Sequence, residues 1–229
     1  MKVQRLRVKF SRGEQVKYIT HLDLMRLWER ALLRAGIDLA YSEGFSPHAR
    51  LSLAAPLAVG VTSSGELLDV FLNTRVTPFE FIRRVSEQLP EGIEVHEARD
   101  VGLRVPSLQS EVRWGEYEVE LDPSVETERA RAAIERFLAA DTLPWEHLRE
   151  KETRRYDIRS LVQHLWLEED GPSLRLGMRL RLDSGGSGRP EQVVAAMELP
   201  EPLRIHRTKL ALAESSPAHE AWRRRGRFT

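Results

Sequence analysis

Twice along this chain, a period-two alternation of apolar residues gives way to helical spacing and then returns, in the order β-α-β-β-α-β. Leu6, Val8 and Phe10 alternate with Arg5, Arg7 and Lys9, which predicts a half-buried first strand with a basic outer face. Ser11-Arg12-Gly13 reads as a turn, and a helix follows from Thr20. Ile37 to Tyr41 reads as a short strand. Ala49 to Val61 is extended but broken by Pro56 and Gly60. Ser63-Ser64-Gly65 is a turn before a strand over Glu66 to Leu72. Thr77 as N-cap and Pro78 at the first helical position open a second helix, with Phe79, Ile82, Val85 and Leu89 inward. Ile93 to Ala98 closes the first set, and Val101 to Trp114 is a connector.

The second set begins where Tyr117, Val119 and Leu121 alternate with Glu116, Glu118 and Glu120. A helix over Pro123 to Ala140 comes next. Between Trp145 and Trp166 lies a basic cluster and then an apolar stretch compatible with strand or helix. A strand over Ser173 to Leu182, a Gly/Ser loop, a short helix over Pro190 to Met197 and a strand over Pro202 to Leu210 complete it. The expected fold is therefore α+β, with two tandem ferredoxin-like (β-α-β-β-α-β) units over residues 1–105 and 106–213. Residues 214–229 are expected to be a disordered basic tail.

The densest set of chemistry-bearing side chains lies between Tyr18 and Arg50. Thr20 is placed to cap the helix, with Asp23 at the positive end of its dipole. Leu24, Leu27, Trp28, Ala31, Leu32 and Ala35 give one apolar face, and Gly36 ends the helix. Arg26, Arg30 and Arg34 form a basic stripe. A solvated face partly paired with Asp23 and Glu29 explains it, and so does a phosphate-tracking ridge. The loop Tyr41-Ser42-Glu43-Gly44-Phe45-Ser46-Pro47-His48 is polar yet carries two aromatics, and His48 lies beside Arg50. Candidate binding residues here are His21, Asp23, Arg26, Tyr41, Ser42, Phe45, His48 and Arg50. Arg26, His48 and Arg50 would hold phosphate, and Tyr41 and Phe45 would stack. A second basic cluster interleaves Tyr156 with Arg154, Arg155 and Arg159. It suits single-stranded RNA, and it equally suits a plain surface loop.

Composition removes several classes. The 35 basic and 35 acidic residues cancel, which is unlike a non-specific nucleic-acid binder. With no cysteine there is no disulfide, thiolate zinc site, cysteine nucleophile or thiolate-held iron–sulfur cluster. The histidines lack metal-ligand spacing, so no metal site is expected, and no nucleotide-binding or hydrolase motif occurs. LRVKF and ELLDVFL lack the aromatics with which an RNA-recognition motif stacks bases. The start MKVQRLRVKF has no apolar core segment and no apolar run approaches membrane-spanning length, so a soluble cytoplasmic protein is expected.

Several segments taken together resemble a known family: Arg7-Val8-Lys9-Phe10-Ser11, Tyr18 to Arg26, Ala40 to His48, and Pro56-Leu57 with Gly60. They look like the bacterial radical-SAM-linked protein family, a domain fused to or encoded beside a radical SAM protein. The match is specific through residues 7 to 72 and weaker beyond, where Arg154 to Arg159 and Arg207 to Leu210 still fit. The resemblance implies a radical SAM protein as partner, carrying the iron–sulfur cluster and S-adenosylmethionine, with no cofactor in this chain. It carries over no catalytic residue. The expected function is a non-catalytic, or at most co-catalytic, accessory protein that binds that enzyme or presents an RNA substrate, tRNA or rRNA. The alternatives are a metal-independent endoribonuclease using His21, His48 and Tyr41, and a protein-binding scaffold.

Overall fold

The computed structural model describes residues 2–149, 152–169 and 173–213, and the expected tail lies outside them. The chain is mixed α+β, with five α-helices among the described residues. It divides into two units. The first takes residues up to Val112 and again from Lys209, and the second is Arg113–Thr208.

In the first unit, β1 (Gln4–Arg12) is followed by α1 (His21–Arg34), β2 (Leu51–Leu53), β3 (Thr62–Leu72), α2 (Pro78–Ser86) and β4 (Ile93–Val101). The sheet order is β4-β1-β3-β2, with every pairing antiparallel. Leu6, Val8 and Phe10 of β1 meet Trp28 and Leu32 of α1, Leu68 and Val70 of β3 and Phe81 of α2 in one core. Several boundaries differ from expectation. Ser11 and Arg12 continue β1 rather than turning, and the Ser63-Ser64-Gly65 segment lies inside β3. The Ile37–Tyr41 segment forms only isolated bridges, Leu39 to Leu72 and Tyr41 to Ala49. On α2 it is Phe81, not Phe79, that faces inward. Phe79 is exposed, because the apolar stripe runs through residues 81 and 85.

The main correction concerns the outer face of β1. Arg5 and Arg7 are 2% and 3% exposed, not solvated. Their guanidinium groups converge on Asp69 of β3. Arg5 donates from Nε at 3.0 Å and Nη2 at 2.5 Å, and Arg7 from Nε at 2.9 Å and Nη2 at 3.2 Å. The cover comes from the expected connector, which folds back over this face. Arg5 also donates to the carbonyls of Val105 and Pro106, and Arg7 to Glu111 at 2.9 Å. Glu111 sits in a one-turn helix, α3 (Leu108–Glu111), capped by Ser107 and anchored by the buried Leu108. Burial alone would lower the Arg7 pKa, but the hydrogen bonds and charges of Asp69 and Glu111 outweigh it and raise it.

In the second unit, β5 (Val112–Glu120) and α4 (Thr127–Ala139) precede an antiparallel hairpin of β6 (Pro144–Arg149) and β7 (Glu152–Asp157). Then come β8 (Val162–Glu168), β9 (Arg175–Asp183), the two-residue β10 (Gly186–Ser187), α5 (Pro190–Ala196) and β11 (Arg204–Leu212). The strand order is β8-β9-β5-β11, with β10 also on β9. The β6–β7 hairpin is additional to the six expected elements and replaces the expected loop. Val119, Met178, Leu180, Phe137, Ile134 and Val193 pack in this unit's core. The charges on the other sheet face cross-pair, Glu116 with Arg179 at 2.5 Å and Glu118 with Arg175 at 3.6 Å. No helix among the described residues is long and apolar enough to cross a membrane.

Candidate functional site

The surface around the start of α1 is set by one buried side chain. Arg12 ends β1 with only 1% exposure, and its guanidinium donates to three carbonyls of the segment that leads into α1. Nε reaches Val16 at 3.2 Å, and Nη2 reaches Lys17 and Ile19 at 2.7 Å each. This clasp fixes the segment leading into α1 and leaves Tyr18 71% exposed. The Gly60 N–H donates to the Lys17 carbonyl at 2.8 Å, which places the exposed Val59 alongside. Gly60 has φ +84. Sequence reasoning gave Arg12 to a turn and did not single out Tyr18, Leu22 or Val59. Only the run of residues 18–26 could have pointed there.

Thr20 caps α1 as expected. Its hydroxyl accepts from the Asp23 N–H at 3.2 Å and donates to the Asp23 carboxylate at 2.6 Å. That hydroxyl, with Arg26 3.6 Å away, holds Asp23 below the usual carboxylate range, so Asp23 is a cap rather than a proton acceptor. His21 is the exposed first residue of the helix. At the other end, Arg84 of α2 donates to the carbonyls of Ala35 and, at 2.7 Å, Gly36. Ala35 is the C-cap and Gly36 follows it at φ +64, where a Cβ would press to 2.6 Å from the Arg84 guanidinium.

The loop after α1 is closed at its base and open at its tip. Ser42 N–H donates to the His48 carbonyl at 2.9 Å, and His48 N–H donates to Ser42 Oγ at 3.1 Å. The same Oγ lies 2.9 Å from His48 Nδ1. Arg50 donates through Nε to the Tyr41 carbonyl at 3.1 Å. Tyr41 donates its hydroxyl to Glu29 of α1 at 3.2 Å. Partial burial and then the Glu29 carboxylate raise the Tyr41 pKa, so its phenol is a poorer acid than in water. Beyond this brace the chain turns through Gly44 at φ +124 and presents Phe45 wholly to solvent. Glu29 shares one face of α1 with Leu22, Arg26 and Leu33, all exposed, so the loop base stands beside an apolar and basic helix face.

The predicted residues therefore separate by task. Tyr41, Ser42, His48 and Arg50 shape the loop, Asp23 caps the helix, and Phe45, His21 and Arg26 face solvent. Of the three acid–base candidates, Tyr41 and His48 are each tied to a different partner and His21 faces solvent. The second cluster sits in the other unit. Arg155 on β7 pairs with Glu146 at 2.7 Å across the hairpin, and Arg154 is exposed on the same strand. Arg159 is a structural side chain, donating to the carbonyls of Val162 at 3.0 Å and Leu138 at 3.4 Å. Among the described residues no group of three or more His, Cys, Asp or Glu could hold a metal ion.

Comparison with solved structures finds partial likenesses. A Cbf5-Nop10-Gar1 complex matches with a TM-score of 0.46 at 11% identity, over 90% of this chain and 48% of that one. An archaeal box H/ACA sRNP Nop10-Cbf5 complex matches with a TM-score of 0.42 at 14% identity, over 91% and 48%. The chain thus spans about half the length of these relatives. A protein of unknown role from Galdieria sulphuraria matches at 12% identity with a TM-score of 0.27, over 85% of this chain and 89% of that one. No curated protein matches by sequence. The profile of a family described as an uncharacterized protein conserved in bacteria (DUF2344) matches residues 5–190, from the buried arginine of β1 through the first residue of α5. The chain belongs to that bacterial family.

Proposed function

We propose that this chain is a non-catalytic accessory protein of a radical SAM enzyme, docking it through the α1 and Tyr41–Arg50 surface while presenting an RNA substrate. The observation that carries the docking half is Phe45. A fully exposed aromatic on a loop tied down at its base by Ser42, His48, Arg50 and Tyr41 is preorganised to enter a partner's pocket at little entropic cost. Leu22 and Leu33 supply apolar area beside the loop, and Arg26 supplies a polar rim. The chemistry divides in the same way. A radical SAM cluster needs thiolates, and these 229 residues hold no cysteine, so the cluster and S-adenosylmethionine would come from the partner.

Affinity capture of the full chain from its native cytoplasm tests the reading, with proteins identified by mass spectrometry and RNA by sequencing. The expected result is an iron–sulfur protein of the radical SAM class recovered together with a defined RNA. Recovery of RNA with no such protein, alongside metal-independent cleavage lost in His21→Ala or His48→Ala, would replace it with the endoribonuclease reading.

A further inference from the structure

The second unit has an aromatic surface that the docking loop does not use. Leu165, Leu176, Met178 and Val119 point to the core from β8, β9 and β5. The alternate residues form the opposite face, where His164 pairs with Arg179 and Trp166 with Gly177. Side chains on the solvated face of an antiparallel sheet are ordinarily polar. Here one position carries an indole that is only half-buried, and the position two residues before it carries an exposed imidazole. The rings are stacked, with centroids 5.5 Å apart and planes at 28°. Trp166 lies flat across Gly177, so closely that a Cβ at 177 would fall within the indole. Its Nε1 donates to Glu168 at 3.0 Å, which fixes the ring's rotation. Arg179 stands opposite His164 in the register, and its planar guanidinium is held by two hydrogen bonds to Glu116 of β5, at 3.0 and 2.5 Å.

We infer that this face is a stacking platform for unpaired nucleobases of single-stranded RNA, with Trp166 and His164 as the stacking rings and Arg179 as the flanking planar cation. Burial of Gly177 alone accounts for an aromatic lying over it. It does not account for a second, exposed ring stacked on the first, with a fixed guanidinium on the neighbouring strand of the same face. The charges set the class of ligand. Arg175, Arg179 and Arg181 each have a carboxylate partner, Glu118, Glu116 and Asp183. The face is therefore close to neutral and offers little to a duplex backbone, whereas stacking needs no net charge. This inference rests on the RNA half of the proposed function and assigns it to residues of the second unit, none of which belongs to the docking loop. Its failure would leave the Phe45 docking surface standing.

The test is fluorescence anisotropy of the full chain with a labelled single-stranded RNA of about 12 nucleotides, and with the same RNA in a duplex, across a salt series. The single strand is expected to bind more tightly than the duplex, with a shallow salt dependence. Trp166→Ala should weaken binding about tenfold or more and Trp166→Phe should restore most of it. His164→Ala, on an exposed ring, should weaken binding several-fold without altering the thermal melt, so the inference stays testable if Trp166→Ala fails to fold. Wild-type chain that ignores single strands, or a His164→Ala variant that binds as wild type does, overturns the inference. Trp166→Phe or His164→Ala losing a captured protein while RNA binding is absent throughout would assign the face to a protein instead and also overturn it.

Discussion

Replacing Asp69 with asparagine is expected to cost about 3–5 kcal/mol of stability, lowering Tm by on the order of 10 °C. Asp69 has no exposed surface, and its two oxygens accept from both Arg5 and Arg7. Asparagine keeps the shape but removes the charge and turns an amide donor toward two guanidinium groups. Arg5 would then keep only the carbonyls of Val105 and Pro106, and Arg7 only Glu111. Thermal and urea unfolding measure the loss. A cost under about 1 kcal/mol would mean that water already solvates this network. The exposed pair of Arg83 with Glu80, 2.8 Å apart, is the internal control, and Glu80→Gln should leave the melt unchanged.

Arg12→Ala is expected to cost about 3 kcal/mol, because three carbonyls lose their donor in a place little open to water. Arg12→Lys should recover little of it, since one ammonium cannot reproduce the fork that reaches Val16, Lys17 and Ile19 together. The change should be local as well as global. Hydrogen exchange should rise first at Lys17 to Asp23, where the clasp and the Thr20 cap order the chain into α1. A variant that melts earlier with unchanged exchange there would remove Arg12 from its role in positioning the proposed docking surface.

The elements that could be read from the chain are those whose signal is local. Thr20 and Asp23 cap α1, Thr77 and Pro78 start α2, and Leu24, Trp28, Ala31 and Leu32 repeat at helical spacing, so both helices stand where their residues place them. What could not be read depends on distant cover. Alternation in β1 separates Leu6, Val8 and Phe10 from Arg5 and Arg7, but it cannot say whether the second face is also buried. That depends on residues 102–112 folding back with Glu111. The β6–β7 hairpin escaped because Arg154 and Arg155 occupy it without a clean apolar alternation; Trp145 and Tyr156, paired across it, are its main apolar support.

The site divides along the same line. Tyr41, Ser42, Phe45, His48 and Arg50 could be singled out from residue type and loop context. Their tasks could not. A histidine, a serine and a tyrosine in one loop suggest acid–base chemistry until Ser42 is found holding His48 and Glu29 holding Tyr41. Once those side chains are spent on bracing, Phe45 is left as the group with surface to offer.

The most direct measurement of the proposed docking is the affinity of a purified radical SAM protein, recovered by capture, for this chain and for Phe45→Ala, by titration calorimetry. Removing one exposed anchor from a braced loop is expected to weaken binding about 30-fold or more, with the melting temperature unchanged because the ring is wholly exposed in the free chain. Equal affinities for the two proteins would contradict the proposed docking through the Tyr41–Arg50 loop.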